Sequence, residues 1–197
     1  MIDDRSGSPP GRAKRRAVAW AAGLLGVAAI TGLGVLAYGE YVSTTDAAFY
    51  THWGVNPHRL PYDSHADARA DIAAGKARAE ATGKLLMVTF GANWCPDCLT
   101  LHKNLEDPAT REFAHKTFEF VNIDVGEFDK NAEVAQELGV KVNGIPLAVF
   151  FSSDGRPICD TSRGELEPSR HYTSREILEF LREVATYQRV VSPDQRQ

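Results

Sequence analysis

Hydrophobic residues recur along this chain with three different periods, and each change of period marks an element. Residues 17–38 are an unbroken apolar run without a single charge. Residues 64–82 place Ala66, Ala70, Ala73, Ala77 and Ala81 at helical spacing, and Gly83 suits a left-handed helix end. Ser64 followed three residues later by Asp67 resembles a capping box and predicts the helix start there. LLMVTF at 85–90 is a short apolar run between Gly83 and Gly91, the pattern of a buried strand. A helix is expected from Pro96, which a first turn tolerates, and a second from about Pro108 over 111–115. FEFVNI at 118–123 alternates and reads as a second strand. A helix at 131–138 closes at Gly139, and 147–151 is a third apolar strand. Ser153-Asp154-Gly155 is a turn, and 157–161 returns as the second arm of a hairpin. The span 174–187 is amphipathic, with Ile177, Leu178, Leu181, Val184 and Ala185 on one face.

Strands separated by helices and followed by a hairpin imply an α/β fold, with a mixed central sheet flanked by helices. No internal repeat interrupts this order. The 197 residues suit one ordinary domain with additions. The 43% hydrophobic and 24% charged fractions exclude wholesale disorder. A net charge of −4 argues against a nucleic-acid partner. Three cysteines are too few for a disulfide scaffold.

Charge is distributed unevenly. Residues 1–39 hold five basic residues against Asp3 and Asp4, whereas the remainder holds 17 basic and 24 acidic residues. Arg12, Lys14, Arg15 and Arg16 directly precede the apolar run, and no Lys or Arg follows it until Arg59. A helix of 22 residues spans roughly 33 Å, enough for a bilayer core of about 30 Å. The positive flank places the N-terminus in the cytoplasm. The expected organisation is a cytoplasmic basic tail at 1–16, a transmembrane signal anchor at 17–38 and a linker at 39–63. A folded domain at 64–189 and a disordered tail at 190–197 follow. A cleaved signal is the alternative, because Ala37-Tyr38-Gly39 offers small residues at cleavage spacing. The linker is expected to pack on the domain through Trp53 or Tyr62. His52, His58 and His65 match no common metal spacing and are read as surface residues.

The chemistry concentrates in Trp94-Cys95-Pro96-Asp97-Cys98. Two cysteines three apart in a first helical turn share a face, so their sulfurs can meet. The first thiol faces unpaired N–H groups at the positive helix end, which favour its thiolate. The second lies one turn in and is shielded. Cys95 is therefore the expected nucleophile and Cys98 the resolving thiol. Half a zinc site is the competing reading, but the only other cysteine is Cys159 and no histidine pair has ligand spacing. Two incidental core cysteines are the other alternative. Cys159, on the hairpin, is read as a small apolar core residue. Gly144-Ile145-Pro146 opens the third strand, and a proline there is often cis. Its backbone edge could pair with an extended peptide. Trp94, Pro96, Asp97, Ile145 and Pro146 are thus candidates for shaping the substrate surface.

These residues carry a resemblance. The 85–90 strand, the Trp94–Cys98 motif, Asn122-Ile123-Asp124, Gly144-Ile145-Pro146 and Gly164 fall in the order of the thioredoxin superfamily. Leu105-Glu106-Asp107-Pro108 with Phe113 is similar to the C-terminal thioredoxin-like domain of the inner-membrane thiol:disulfide interchange protein. The resemblance covers about 64–188 and implies a thioredoxin-like disulfide oxidoreductase with a cis bond at Pro146. The chain departs from the pattern in four places. Thr89 and Phe120 stand where thioredoxins proper carry a buried Asp and a Lys, so the acid–base pair serving the resolving thiol is missing. A water or Glu119 is the candidate substitute. The motif's middle is Pro-Asp, and 165–173 is an insertion before the last helix.

The expected function is that of a membrane-anchored thiol:disulfide oxidoreductase, a reductase of protein disulfides outside the cytoplasm. It would need no metal or organic cofactor, only a redox-active Cys95–Cys98 disulfide, and would be recharged by an electron-donor thiol protein. The alternatives are an oxidase or isomerase using the same residues, or a non-catalytic binding module. Asp97 is the argument for the reductase: its carboxylate should repel a thiolate at Cys95, raise that pKa and favour the disulfide.

Overall fold

A strand buried on every residue, β1 (Leu85–Gly91), organises the domain. The computed structural model describes residues 47–191 except His58, with side chains described to residue 188. The expected anchor at 17–38, its cleaved alternative and the 1–16 tail lie outside the described residues. Among the described residues no helix is long and apolar enough to cross a membrane.

From Tyr50 onward the chain forms one compact unit. Its elements are α1 (Ala68–Thr82), β1, α2 (Pro96–Glu106), α3 (Pro108–Thr117), β2 (Phe118–Asp124), α4 (Ala132–Glu137), β3 (Leu147–Phe151), β4 (Pro157–Asp160) and α5 (Ser174–Val191). The sheet order is β2-β1-β3-β4. β1 pairs with β2 in parallel, Leu85 opposite Phe118 and Gly91 opposite Asp124. β3 runs antiparallel to β1, and β4 antiparallel to β3 with a bulge at Phe150/Phe151. The expected mixed thioredoxin-like sheet is therefore present.

β1 reads as a continuous apolar run because both of its faces are covered. Leu86, Val88 and Phe90 join a core with Ile72, Ile123 and Val149. Leu85 and Met87 face a second core with Leu101, Phe118 and Leu181. α1 comes very close to the sheet: a Cβ on Gly75 would lie 2.5 Å from Val121 Cγ2. Only glycine permits that approach.

Two helix ends differ most from the sequence expectation. α1 begins at Ala68, not Ser64, because Asp67 is itself the cap, its Oδ1 accepting from Arg69 N at 3.0 Å and Ala70 N at 3.1 Å. The alanine stripe is exposed, and Ala68, Ile72, Gly75 and Ala79 form the buried face. The last helix runs to Val191. The 165–173 insertion is structured. Leu166 is buried, and Ser169–His171 form a 3-10 turn that packs on α2. In the preceding segment Val55 and Tyr62 are buried, whereas Trp53 is half-buried.

Candidate active site

The end of β1 delivers the motif. After Gly91, Ala92-Asn93-Trp94 turn the chain so that Cys95 becomes the N-cap of α2, with Pro96 in the first turn. Cys95 Sγ accepts from the Cys98 backbone N–H at 3.4 Å, an unpaired helical donor turned on a sulfur. The Cys95 thiol points at Ile145 O, 3.8 Å away. The Ile145–Pro146 peptide is cis. The sequence-predicted residues Cys95, Cys98, Ile145 and Pro146 thus come together, both cysteines are free thiols, and Cys98 has no solvent exposure.

The two thiols differ in their environments. Cys95 sits below the ordinary thiol pKa because the Cys98 thiol and then the Cys98 N–H hydrogen-bond its sulfur, outweighing burial and the Asp97 charge. Cys98 is pushed far up, chiefly by burial and then by its neighbour Cys95. Of the two thiols, Cys95 is the one that ionises first. Cys159 is half-buried in the opposite core, with its pKa raised to about 11 by burial, so it does not join the pair.

Asp97 is not the free carboxylate that the sequence suggested. It is 5% exposed and bound by Arg170. Arg170 Nε donates to both carboxylate oxygens at 3.0 Å, Nη2 donates to Oδ2, and the Arg170 backbone N–H donates to Oδ1 at 2.8 Å. This fork places a positive charge against the carboxylate and clamps the insertion to the active-site helix. Asp97 does raise the Cys95 pKa, as expected, but the Cys98 hydrogen bonds leave that pKa lowered on balance. The Asp97 effect has the anticipated sign but is smaller than the local hydrogen bonds.

Trp94 is 39% exposed beside Cys95, and its indole N–H donates to Gly126 O at 2.8 Å. Its ring lies against Phe128, 5.8 Å between centroids. Phe128 is 48% exposed and holds a φ of +67°, a region that bulky residues avoid. The two rings make an apolar shelf at the mouth of the site. Sequence reading missed Phe128, and only its place after Asn122-Ile123-Asp124 pointed toward the site.

Glu119 does not replace the missing acid–base pair. It lies opposite Leu86, near the start of β2, and is held by Lys84 Nζ at 2.9 Å and Arg78 Nε at 3.4 Å. Tyr62 stands beside Cys98 instead. It is 2% exposed, and its backbone is held twice by Asn93: Nδ2 donates to Tyr62 O at 2.6 Å, and Oδ1 accepts from Tyr62 N at 3.2 Å.

A thioredoxin-like family profile matches residues 67–153. Thioredoxin H8 of Arabidopsis thaliana is 35% identical over 134 residues, covering 61% of this chain and 84% of the relative. The crystal structure of a disulphide isomerase from Xylella fastidiosa is 39% identical, covers 64% of this chain and 97% of its own, and superposes with a TM-score of 0.62.

Proposed function

This chain belongs to the thioredoxin superfamily of thiol–disulfide oxidoreductases, and we propose that it is a membrane-anchored reductase of protein disulfides acting outside the cytoplasm. The observation that carries the chemistry is the asymmetry of the thiols. Cys95 is favoured as thiolate by donors from Cys98 and the Asp97 backbone, and Cys98 is kept protonated by burial. The Cys95 thiolate attacks one sulfur of a substrate disulfide, the other sulfur leaves as thiolate, and a mixed disulfide forms. Cys98 then attacks Cys95 Sγ. The Cys95–Cys98 bond forms, the bond to substrate breaks, and the Cys98 proton ends on the departing substrate sulfur. Two electrons pass to the substrate, and a dithiol partner protein restores the starting state. Neither metal nor organic cofactor enters this sequence.

Trp94 with Phe128 offers an apolar shelf to the substrate, while Ile145 and Pro146 border the sulfur on the other side. Pro96 fixes the first turn behind Cys95, and Asp97 holds the insertion in place. The reducing direction is supported by what surrounds Cys95. Burial and the Asp97 charge both oppose its thiolate and so favour the disulfide, whereas strong oxidants over-stabilise the thiolate.

An isomerase reading has one specific support, the name of the Xylella fastidiosa protein. Electron accounting separates the two. The reduced protein, mixed with an equimolar disulfide-scrambled protein and no other reductant, is expected to end as the Cys95–Cys98 disulfide with two new substrate thiols. Recovery of the dithiol together with native substrate pairings would establish the isomerase.

The anchor rests on the charge-free run at 17–38 behind Arg12–Arg16. An alkaline phosphatase fused after Gln197 is expected to be active and membrane-bound. An inactive fusion would overturn the orientation, and an active but soluble one would indicate cleavage.

A further inference from the structure

The resolving thiol of this site is buried and strongly protonated, yet it must become a nucleophile within one turnover. We propose that Tyr62 is a catalytic residue of the resolving step, its hydroxyl donating a hydrogen bond to Cys98 Sγ as the thiolate forms. The proposal rests on the reading of Cys98 as the resolving thiol.

Four observations converge on Tyr62. It reaches the site from outside the motif and is packed in the same core as Cys95 and Cys98. Its hydroxyl and ring edge occupy the space where any side chain on residue 91 would lie, so Gly91 at the end of β1 is what admits it. Asn93 holds the Tyr62 backbone from both sides, which fixes the ring without using the hydroxyl. Tyr62 and Cys98 also bear on each other's protonation: the tyrosine acts to lower the Cys98 pKa, against the larger effect of burial.

The surroundings explain why a tyrosine serves here. Tyr62 borders a cavity of about 110 Å³ whose wall includes Thr89, Phe120 and Asn122. Thr89 and Phe120 are the positions where an acid–base pair is missing, so Tyr62 borders the same cavity as the positions that lost those groups. Burial, followed by the negative charge of the thiols, raises the Tyr62 pKa well above its ordinary value. The phenol is therefore a donor and not a base. When Cys98 attacks Cys95 Sγ, its proton goes to the departing substrate sulfur, and the Tyr62 proton stays on oxygen. The hydroxyl stabilises the transient negative sulfur and aims it at Cys95.

The test is Tyr62→Phe in the full-length protein, which keeps the ring and removes the donor. Acid-quenched mass spectrometry follows the mixed disulfide formed with a disulfide-linked peptide. Its decay is expected to slow about tenfold, as for loss of a hydrogen bond to a charged group. Alkylation of Cys95 at neutral pH is expected to stay within about twofold of wild type. Unchanged decay would overturn the proposal, as would a parallel loss of Cys95 reactivity, which would mark a merely structural role. Should Tyr62→Phe not fold, a ring-fluorinated tyrosine at position 62 keeps the shape and strengthens the donor. Decay is then expected to accelerate, and unchanged or slower decay would overturn the proposal. If instead Cys98→Ser fails to accumulate the mixed disulfide, the role of Cys98 falls, whatever Tyr62 does.

Discussion

Cys95→Ser is expected to abolish disulfide reduction, with a loss on the order of a thousandfold or more, because a serine hydroxyl stays protonated where the thiolate must attack. Cys98→Ser is expected to behave differently. Attack by Cys95 survives, resolution does not, and the protein accumulates as a mixed disulfide with its substrate. The structural basis is the placement of the two sulfurs. Cys95 Sγ lies at the helix cap beside Ile145 O and its residue keeps 4% exposure, whereas Cys98 has none. Non-reducing gels and mass spectrometry of the two variants after exposure to a protein disulfide check the assignment. Trapping by Cys95→Ser in place of Cys98→Ser would reverse the roles.

The second large effect concerns Asp97 and Arg170, whose substitutions should move Cys95 in opposite directions. Arg170→Ala leaves a buried carboxylate without its fork and restores the repulsion that the guanidinium offsets. The Cys95 pKa then rises, so the pH midpoint of its alkylation moves up and reactivity at neutral pH falls. Asp97→Asn removes the charge that raises the Cys95 pKa, so the same midpoint moves down and neutral reactivity rises. Both variants also loosen the Ser169–His171 turn from α2. Each should lower the Tm by roughly 5 °C, a modest loss because the guanidinium is half exposed and screened. A pH series of iodoacetamide rates with mass-spectrometric readout at Cys95 gives the signs. Midpoints that move together would refute the electrostatic account.

These two residues also mark the limit of what the chain discloses on its own. Elements with dense local signals were legible: the apolar β1, the alternating β2, the hairpin and the cysteine motif opening a helix. Each is written in contiguous residues whose period or turn chemistry is diagnostic. The Arg170 fork joins residues 73 apart, and only the insertion hinted that something distinctive stood there. The charge reading of Asp97 had the right sign, but its partner was invisible. Tyr62 was legible as a packing residue but not as a neighbour of Cys98, because its position depends on Gly91 and on Asn93, 31 residues away. The start of α1 was misplaced because Ser64 and Asp67 both cap well, and only the backbone shows which one does.

The reducing direction is the claim on which the functional account turns, and the reduction potential of the Cys95–Cys98 pair tests it most directly. Equilibration in graded redox buffers, followed by acid trapping and quantification of dithiol and disulfide, yields that value. Burial and the Asp97 charge, which oppose the Cys95 thiolate, predict a potential below about −200 mV, on the thioredoxin side of the superfamily's range. A value near −120 mV, that of a strong periplasmic oxidant, would contradict the account.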